Sequence, residues 1–340
     1  MDVEYIPLET NDDFLTQGVV QAVGKELILV KNSVRDGDIF VFDRNGKALR
    51  KINRMGQGSE EYLDISGIAL DEDDNEMFVY SSSSNKILIY DLYGKFKRSF
   101  QNKEETWYSK IYNYDKEHLI CHEFYVPEFH AEKHRNSFFI VSKQDGRMKE
   151  VEIPFKKKIS VFLTEKNEGI YYQVGSYNCL IIPFQNNWII TEPSSDTVYR
   201  YLPDDSMYPF IVRTPSVQSM NPEVFLFPGV LTDRYYFMQT VKKKYDFATN
   251  EGMPSRNLMY DRQEKTLYEY IVYNDDRTGK RPVNMVRDPV NEEIAFCQKI
   301  EAYQLVEAYE KGELKGKLKE IAAELDEESN PVIMVVKYKK

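Results

Sequence analysis

Four histidines, His118, His122, His130 and His134, stand within 17 residues of one another. In His130-Ala-Glu-Lys-His134 the imidazoles are four residues apart, the spacing that sets two of them on one helical face as zinc sites require. The flanking Val126-Pro127 and Arg135-Asn136 favour a short loop instead, and the Glu is not placed as in the zinc-protease motif. His118 and His122 fall on an apolar alternating run, where four residues span about 13 Å and share no metal. Asp71-Glu72-Asp73-Asp74-Asn75-Glu76 offers oxygen ligands at alternate positions, as calcium loops do. It has Glu76 where the turn glycine belongs and Ser82 where the bidentate Glu belongs, so it reads as a solvated acidic turn. Gly56 and Gly58 lack the Lys-Ser/Thr of a phosphate loop and read as a tight crossover. No Ser-His-Asp order or nucleophile elbow is present. Cys121, Cys179 and Cys297 are too few and too scattered for a disulfide framework or a metal pair. This reading assigns no catalytic residue, no metal ligand and no cofactor.

Recognition chemistry is better represented. Trp107 and Tyr108 form an aromatic platform suited to the apolar face of a sugar. Arg54, Glu60, Glu61, Tyr62 and Glu123 supply the charged and hydroxyl groups that bond sugar hydroxyls. With His130 and His134 they make up the candidate ligand-binding set. The competing reading packs Trp107 and Tyr62 into the core.

The elements that would carry these residues are strands. The chain has 340 residues, 46 of them aromatic (25 Tyr, 19 Phe, 2 Trp), and such residues favour strands. Lys plus Arg total 45 and Asp plus Glu 55, so 45 − 55 leaves −10, which argues against wrapping nucleic acid by phosphate neutralisation. No apolar stretch reaches the ~18 residues that span a bilayer, and Met1-Asp2-Val3-Glu4-Tyr5 lacks the basic and apolar regions of a signal peptide.

One module recurs. Ile39-Phe40-Val41-Phe42-Asp43-Arg44-Asn45-Gly46 matches Ile87-Leu88-Ile89-Tyr90-Asp91-Leu92-Tyr93-Gly94, and Phe138 to Gly146 is a third copy. Weaker copies run from Val198, Leu258 and Val332. Aligning Asp43, Asp91, Ser142, Leu202 and Asp261 gives spacings of 48, 51, 60 and 59. A further strand pair precedes each copy, so each unit is a four-stranded antiparallel meander, and six such units predict an all-β six-bladed β-propeller over residues 1–340. The strand-like run 3–8 pairs with 332–338 in the last blade and closes the ring. Residues 299–328 carry helical spacing and predict one or two amphipathic helices inserted into that blade.

In such a meander the turns A–B and C–D share one face, and the loops B–C and D–A share the other. The long insertions, 125–136, 242–256 and 299–330, all fall on the second face, as do the long connections 52–63 and 155–176. Elaboration confined to one face of a repeat array marks a binding face.

Arg54-Met55-Gly56-Gln57-Gly58-Ser59-Glu60-Glu61-Tyr62, with Tyr5-Ile6-Pro7-Leu8-Glu9-Thr10 and Asn330-Pro331-Val332, resembles the exported six-bladed propellers of gut bacteria, themselves similar to NHL-repeat propellers. The resemblance covers essentially the whole chain. Ser59 departs from the family's usual Pro. Members are mostly lipoproteins acylated on a Cys after a signal sequence. No such Cys stands here, so the resemblance implies an extracytoplasmic location and places any lipid anchor in a removed leader. The expected function is therefore recognition of a glycan fragment, peptide or protein partner around the central channel. The alternative is a calcium-dependent hydrolase or lactonase-like enzyme, for which Asp64, Ser66 and Asn113 are the inner-strand candidates.

Overall fold

Strands such as Glu76-Met77-Phe78-Val79-Tyr80-Ser81 bury every side chain, on both faces, so no such sheet can stand alone. The solution is a ring. The computed structural model describes residues 1–33, 35–103, 106–126, 136–176 and 178–339, and it is a six-bladed β-propeller. Strand β1 (Asp2–Pro7) opens the chain. Blade 1 is β2 (Val19–Val23), β3 (Leu27–Lys31), β4 (Asp38–Asp43) and β5 (Ala48–Asn53). Blade 2 is β6 (Gly67–Asp71), β7 (Glu76–Ser81), β8 (Lys86–Asp91) and β9 (Phe96–Gln101). Blade 3 is β10 (Lys110–Asn113), β11 (His118–His122), β12 (Phe138–Ser142) and β13 (Met148–Val151). A hairpin, β14 (Phe162–Asn167) and β15 (Ile170–Gly175), leads to blade 4: β16 (Ile181–Phe184), β17 (Asn187–Ile190), β18 (Thr197–Tyr201) and β19 (Met207–Val212). Blade 5 is β20 (Val224–Leu231), β21 (Tyr235–Lys242), β24 (Ser255–Asp261) and β25 (Thr266–Glu269), with the small hairpin β22 (Tyr245–Asp246) and β23 (Glu251–Gly252) between its second and third strands. A short pair, β26 (Val272–Tyr273) and β27 (Pro282–Val283), follows.

The sixth blade departs from the four-stranded pattern. It holds β28 (Ile294–Ile300), β29 (Val332–Lys337) and β1, in the order β1-β29-β28. Among the described residues, the innermost strand is missing. The residues before β28 are apolar enough to be a strand, but Met285 bonds to blade 5 instead, where Val230 N–H donates to its carbonyl at 2.9 Å. At the other edge β1 pairs antiparallel with β29, from Asp2 opposite Lys337 to Pro7 opposite Val332. The helical insertion is α1 (Ala302–Glu310) and α2 (Gly316–Ala322), whose buried Leu305, Leu318 and Ile321 join the core of blades 5 and 6.

There is no single core. Apolar wedges lie between successive blades: Val41, Tyr62 and Val79 between blades 1 and 2, Phe78, Tyr108 and Phe139 between blades 2 and 3, and so on to Ile6, Phe42 and Ile333 between blades 6 and 1. The repeated turn glycine explains how blades come so close. Gly46 and Gly94 both have φ of +85°, and Gly146 has +71°. Each abuts the outer strand of the preceding blade. A Cβ on Gly46 would lie 2.0 Å from the Pro7 carbonyl oxygen, and one on Gly94 would lie 2.6 Å from Ile52. The glycine therefore answers both a left-handed turn and a backbone approach. An arginine latch repeats with the same period. Arg50 Nε donates to the Leu92 carbonyl at 2.7 Å, and Arg98 Nε donates to that of Lys143 at 2.9 Å. Buried Lys143 adds an ion pair to Asp71 at 2.5 Å and a bond to the Asp115 carbonyl at 2.6 Å, tying blade 3 to blade 2.

Gly46→Ala should therefore cost about 3 kcal/mol in chemical denaturation, through strain plus the clash with Pro7. Gly169→Ala is the control: φ is +84° there, but nothing lies within 4 Å, so about 1 kcal/mol is expected. Equal losses at the two positions would show that blade contact does not matter at the turn.

Candidate functional site

The inner strands enclose a central channel of about 940 Å³. That lies within the roughly 300–1,000 Å³ of small-molecule sites. β2, β6 and β10 line it along their length. Its mouth is framed by the short A–B turns, through Lys25, Asp73, Asp115, Asn186 and Glu292. The insertions lie on the opposite face by topology, since β22–β23 and the two helices are B–C loops and β14–β15 and β26–β27 are D–A connections. The elaborated face and the cavity mouth are thus different ends of the ring.

One wall is aromatic. Trp188 stacks on Tyr114 with centroids 5.7 Å apart and planes at 29°, and Tyr112 lies 6.4 Å away. The turn at Gln185-Asn186, with φ of +55° and +56°, reverses the chain so that Trp188 at the start of β17 reaches this wall. Opposite charges meet inside. Lys110, at the start of β10 in blade 3, lies 2.5 Å from Asp288, on the segment leading into blade 6. Blades 3 and 6 stand three places apart in a ring of six, so this pair crosses the axis. Both side chains remain nearly half exposed (47% and 42%). A screened pair of this kind holds little energy and yields readily to a competing ligand. At the mouth, the Glu72 carboxylate of blade 2 accepts the backbone N–H groups of Lys25 (2.5 Å), Glu26 (3.1 Å) and Leu27 (2.8 Å), which locks the first turn of the rim.

The residues singled out from the sequence lie away from this channel, at two blade crossings. Tyr62 is buried between blades 1 and 2. Its hydroxyl donates to the Gly37 carbonyl at 2.7 Å and accepts from the Arg54 N–H at 2.9 Å. Arg54 Nε reaches the Gly94 carbonyl at 2.8 Å, and the Glu61 carboxylate accepts the Gly58 N–H at 2.8 Å. Glu60 is exposed, with its carbonyl accepting from the Tyr90 hydroxyl. Tyr108 is buried against Tyr80 and Phe139, while Trp107 is 46% exposed. Buried Glu123 accepts the Trp107 N–H at 2.9 Å and so fixes that crossing. The structure brings Arg54, Glu60, Glu61 and Tyr62 together as one group and Trp107, Tyr108 and Glu123 as another. His130 and His134 lie outside the described residues.

The inner-strand candidates for a metal do not converge. Asp64 is buried in a cradle of donors: Ser81 Oγ at 2.7 Å, Ser66 Oγ at 2.8 Å, Ser82 Oγ at 2.9 Å and the Ser83 N–H at 2.9 Å. Burial pushes its carboxyl up, but these bonds outweigh it and hold the group at about 2. Asn113 instead gives its amide to the Leu70 carbonyl at 3.2 Å. Among the described residues no three His, Cys, Asp or Glu side chains gather as a metal would need. His122 is fully packed. Burial, then Lys158 and Lys110, push its imidazole down to about 3, and its Nδ1 faces Ser109 Oγ at 2.8 Å.

Sequence reading missed Trp188, Tyr112, Tyr114, Lys110 and Asp288 as a group. Trp188 and Tyr112 lay on strands, while Tyr114 and Asp288 lay in turns. The only available signal was an aromatic or charged residue recurring beside the A–B turns.

Among the described residues, five four-stranded blades, a three-stranded sixth and an open axis with an aromatic wall define the class: a six-bladed β-propeller with a central channel. Within that class the chain belongs to the family described as a domain of unknown function, DUF4934, whose sequence model matches residues 1–337. Its structure is similar to that of a Bacteroides fragilis protein named "Putative exported protein" (TM-score 0.64, 15% identity, covering 100% of this chain and 95% of that one). It is also similar to a member of the DUF4221 family from Bacteroides vulgatus (TM-score 0.50, 10% identity, covering 99% and 96%). A search of functionally curated proteins gives no match. Among the described residues, no helix is long and apolar enough to cross a membrane.

Two of the shifted groups, His122 and Asp64, contribute to the acid limb of stability. The His122 pKa is lower in the native state than in the unfolded chain, near 6.5, so its contribution is complete above pH 6.5 and is lost as pH falls towards 3. The slope reaches about 1.4 kcal/mol per pH unit for this one site. Asp64 adds a second loss between about pH 4 and pH 2. His122→Gln should flatten the upper limb in urea titrations run from pH 7 to 4. An unchanged slope would mean that His122 is protonated in the native protein.

Proposed function

We propose that this protein is an extracytoplasmic binding propeller that takes a small polar ligand in its central channel, entering from the short-turn face. The channel itself carries the reading: about 940 Å³, an aromatic wall at Tyr112, Tyr114 and Trp188, and a half-exposed ion pair reaching across it. Aromatic faces take up the apolar side of a sugar or peptide, and amides such as Asn178 and Asn284 on the lining bond its polar groups. The inner strands belong to closed sheets, so the pocket is formed before the ligand arrives and little ordering is required on binding. The location rests on the likeness to the B. fragilis protein, whose name calls it exported. A second reading, a protein partner on the insertion face, draws support from the exposed Trp107 and Glu60, at separate blade crossings, and from the hairpin residues Ile170, Tyr171 and Tyr172, all about half exposed.

The two tryptophans separate these readings. A ligand from a saccharide and peptide screen that stabilises the protein should change Trp188 emission, and Trp188→Phe should abolish that change. At a concentration 100 times Kd the stabilisation should be about 2.7 kcal/mol. If the change survives in Trp188→Phe and vanishes in Trp107→Phe, the ligand sits on the insertion face and the channel reading fails.

A further inference from the structure

The sixth blade lacks its inner strand, and the position that strand would occupy borders the channel. β28 is paired along one side only, to β29. Among the described residues, the backbone groups on its other side, between Ala295 and Ile300, have no hydrogen-bond partner. Cys297 from this stretch lines the channel, and Cys297, Gln298 and Lys299 are only partly buried. An unpaired strand edge is a template for another extended chain.

The segment that should have filled this place spans the channel instead. Residues 284–293 are pinned to four other blades. Val230 N–H of blade 5 bonds Met285, Lys110 of blade 3 pairs with Asp288, and the Asn186 N–H of blade 4 bonds the Glu292 carboxylate. The Asn291 amide reaches the Val23 carbonyl of blade 1 at 3.3 Å. Its first residues, Met285 and Val286, are buried in the apolar wedges beside blade 5, while the ties from Asp288 to Glu292 are polar and in part solvent-exposed. The segment is a strap over the channel and not a part of the sheet.

We propose that the channel-facing edge of β28 is a docking edge for an extended peptide, which completes blade 6 as its fourth strand. This names the ligand of the channel and rests on the reading of the channel as the binding site. The occupant follows from what the edge offers. It presents alternating N–H and C=O groups every ~3.3 Å from Ala295 to Ile300, and only an extended backbone matches that pattern. The other five blades show what fits there, since each places a strand of four to eight residues in this position. Entry of the peptide draws Asp288 away from Lys110. The freed ammonium then meets a carboxylate of the peptide.

The probe is the hexapeptide acetyl-Thr-Val-Thr-Val-Thr-Val, compared with a version N-methylated at alternate residues, which keeps the side chains and removes the donors of one edge. Calorimetry and Trp188 emission report binding. The parent peptide should bind saturably, N-methylation should weaken it at least tenfold, and Asp288→Asn should tighten it at least fivefold by loosening the strap. Parent and methylated peptides binding within twofold of each other would overturn the inference. So would strong amide-exchange protection on both sides of 295–300 in the free protein, which would show the chain's own strap seated on the edge. If the peptide fails while a saccharide alters Trp188 emission, the peptide inference falls and the channel reading stands; if nothing alters it, both fall. Should Asp288→Asn fail to fold, the methylation comparison on the unmodified protein decides alone.

Discussion

A sheet that is apolar on both faces must be covered on both, and this requirement governs the whole molecule. Every blade gains its second cover from a neighbour, so no blade can be left at an end. The pairing of β1 with β29 is what removes the ends. It takes the first strand of the chain and places it at the rim of the last blade, where Pro7 receives the turn of blade 1 around Gly46. Without that pairing Ile6 and Leu8, both nearly inaccessible, would face water together with Phe40 and Phe42. The loss would not stay local, because an open ring exposes the apolar faces of two blades at once.

The ring was readable in the chain because its repeat is tied to contact. Asp43 and Asp91 each accept the N–H groups two and four residues on, and Gly46 and Gly94 complete the same turns. Those residues are not interchangeable with others, so they recur visibly. The meander of blades 1 to 3 and the helical stretch before β29 follow from the same kind of pattern. What escaped notice was set by tertiary approach. Met285 and Val286 look like the start of an inner strand, yet Gly229, lacking a side chain, lets them settle onto blade 5. No local rule contains that choice.

The site was less readable, for a related reason. Tyr62 and Tyr108 have the chemistry of recognition residues, and the structure uses their rings as filler and their polar atoms as staples. Residue type alone does not separate an aromatic that waits for a ligand from one that wedges two sheets apart. Trp188 shows the converse: placed near the start of a strand, it looks like packing, and it faces the channel because the preceding turn swings it inward. A channel is a property of strand ends from several blades at once. No single stretch of chain carries its signature.

The arginine latches carry a consequence for where such a ring can work. Arg50, Arg54 and Arg98 all direct Nε to backbone carbonyls of the next blade. A carbonyl has no proton to gain in acid and no counterion to lose in brine. These links between blades therefore keep their acceptors through swings of acidity and ionic strength that would loosen carboxylate-based ties. A wheel joined in this way holds its blades together where ties to titratable groups would slacken.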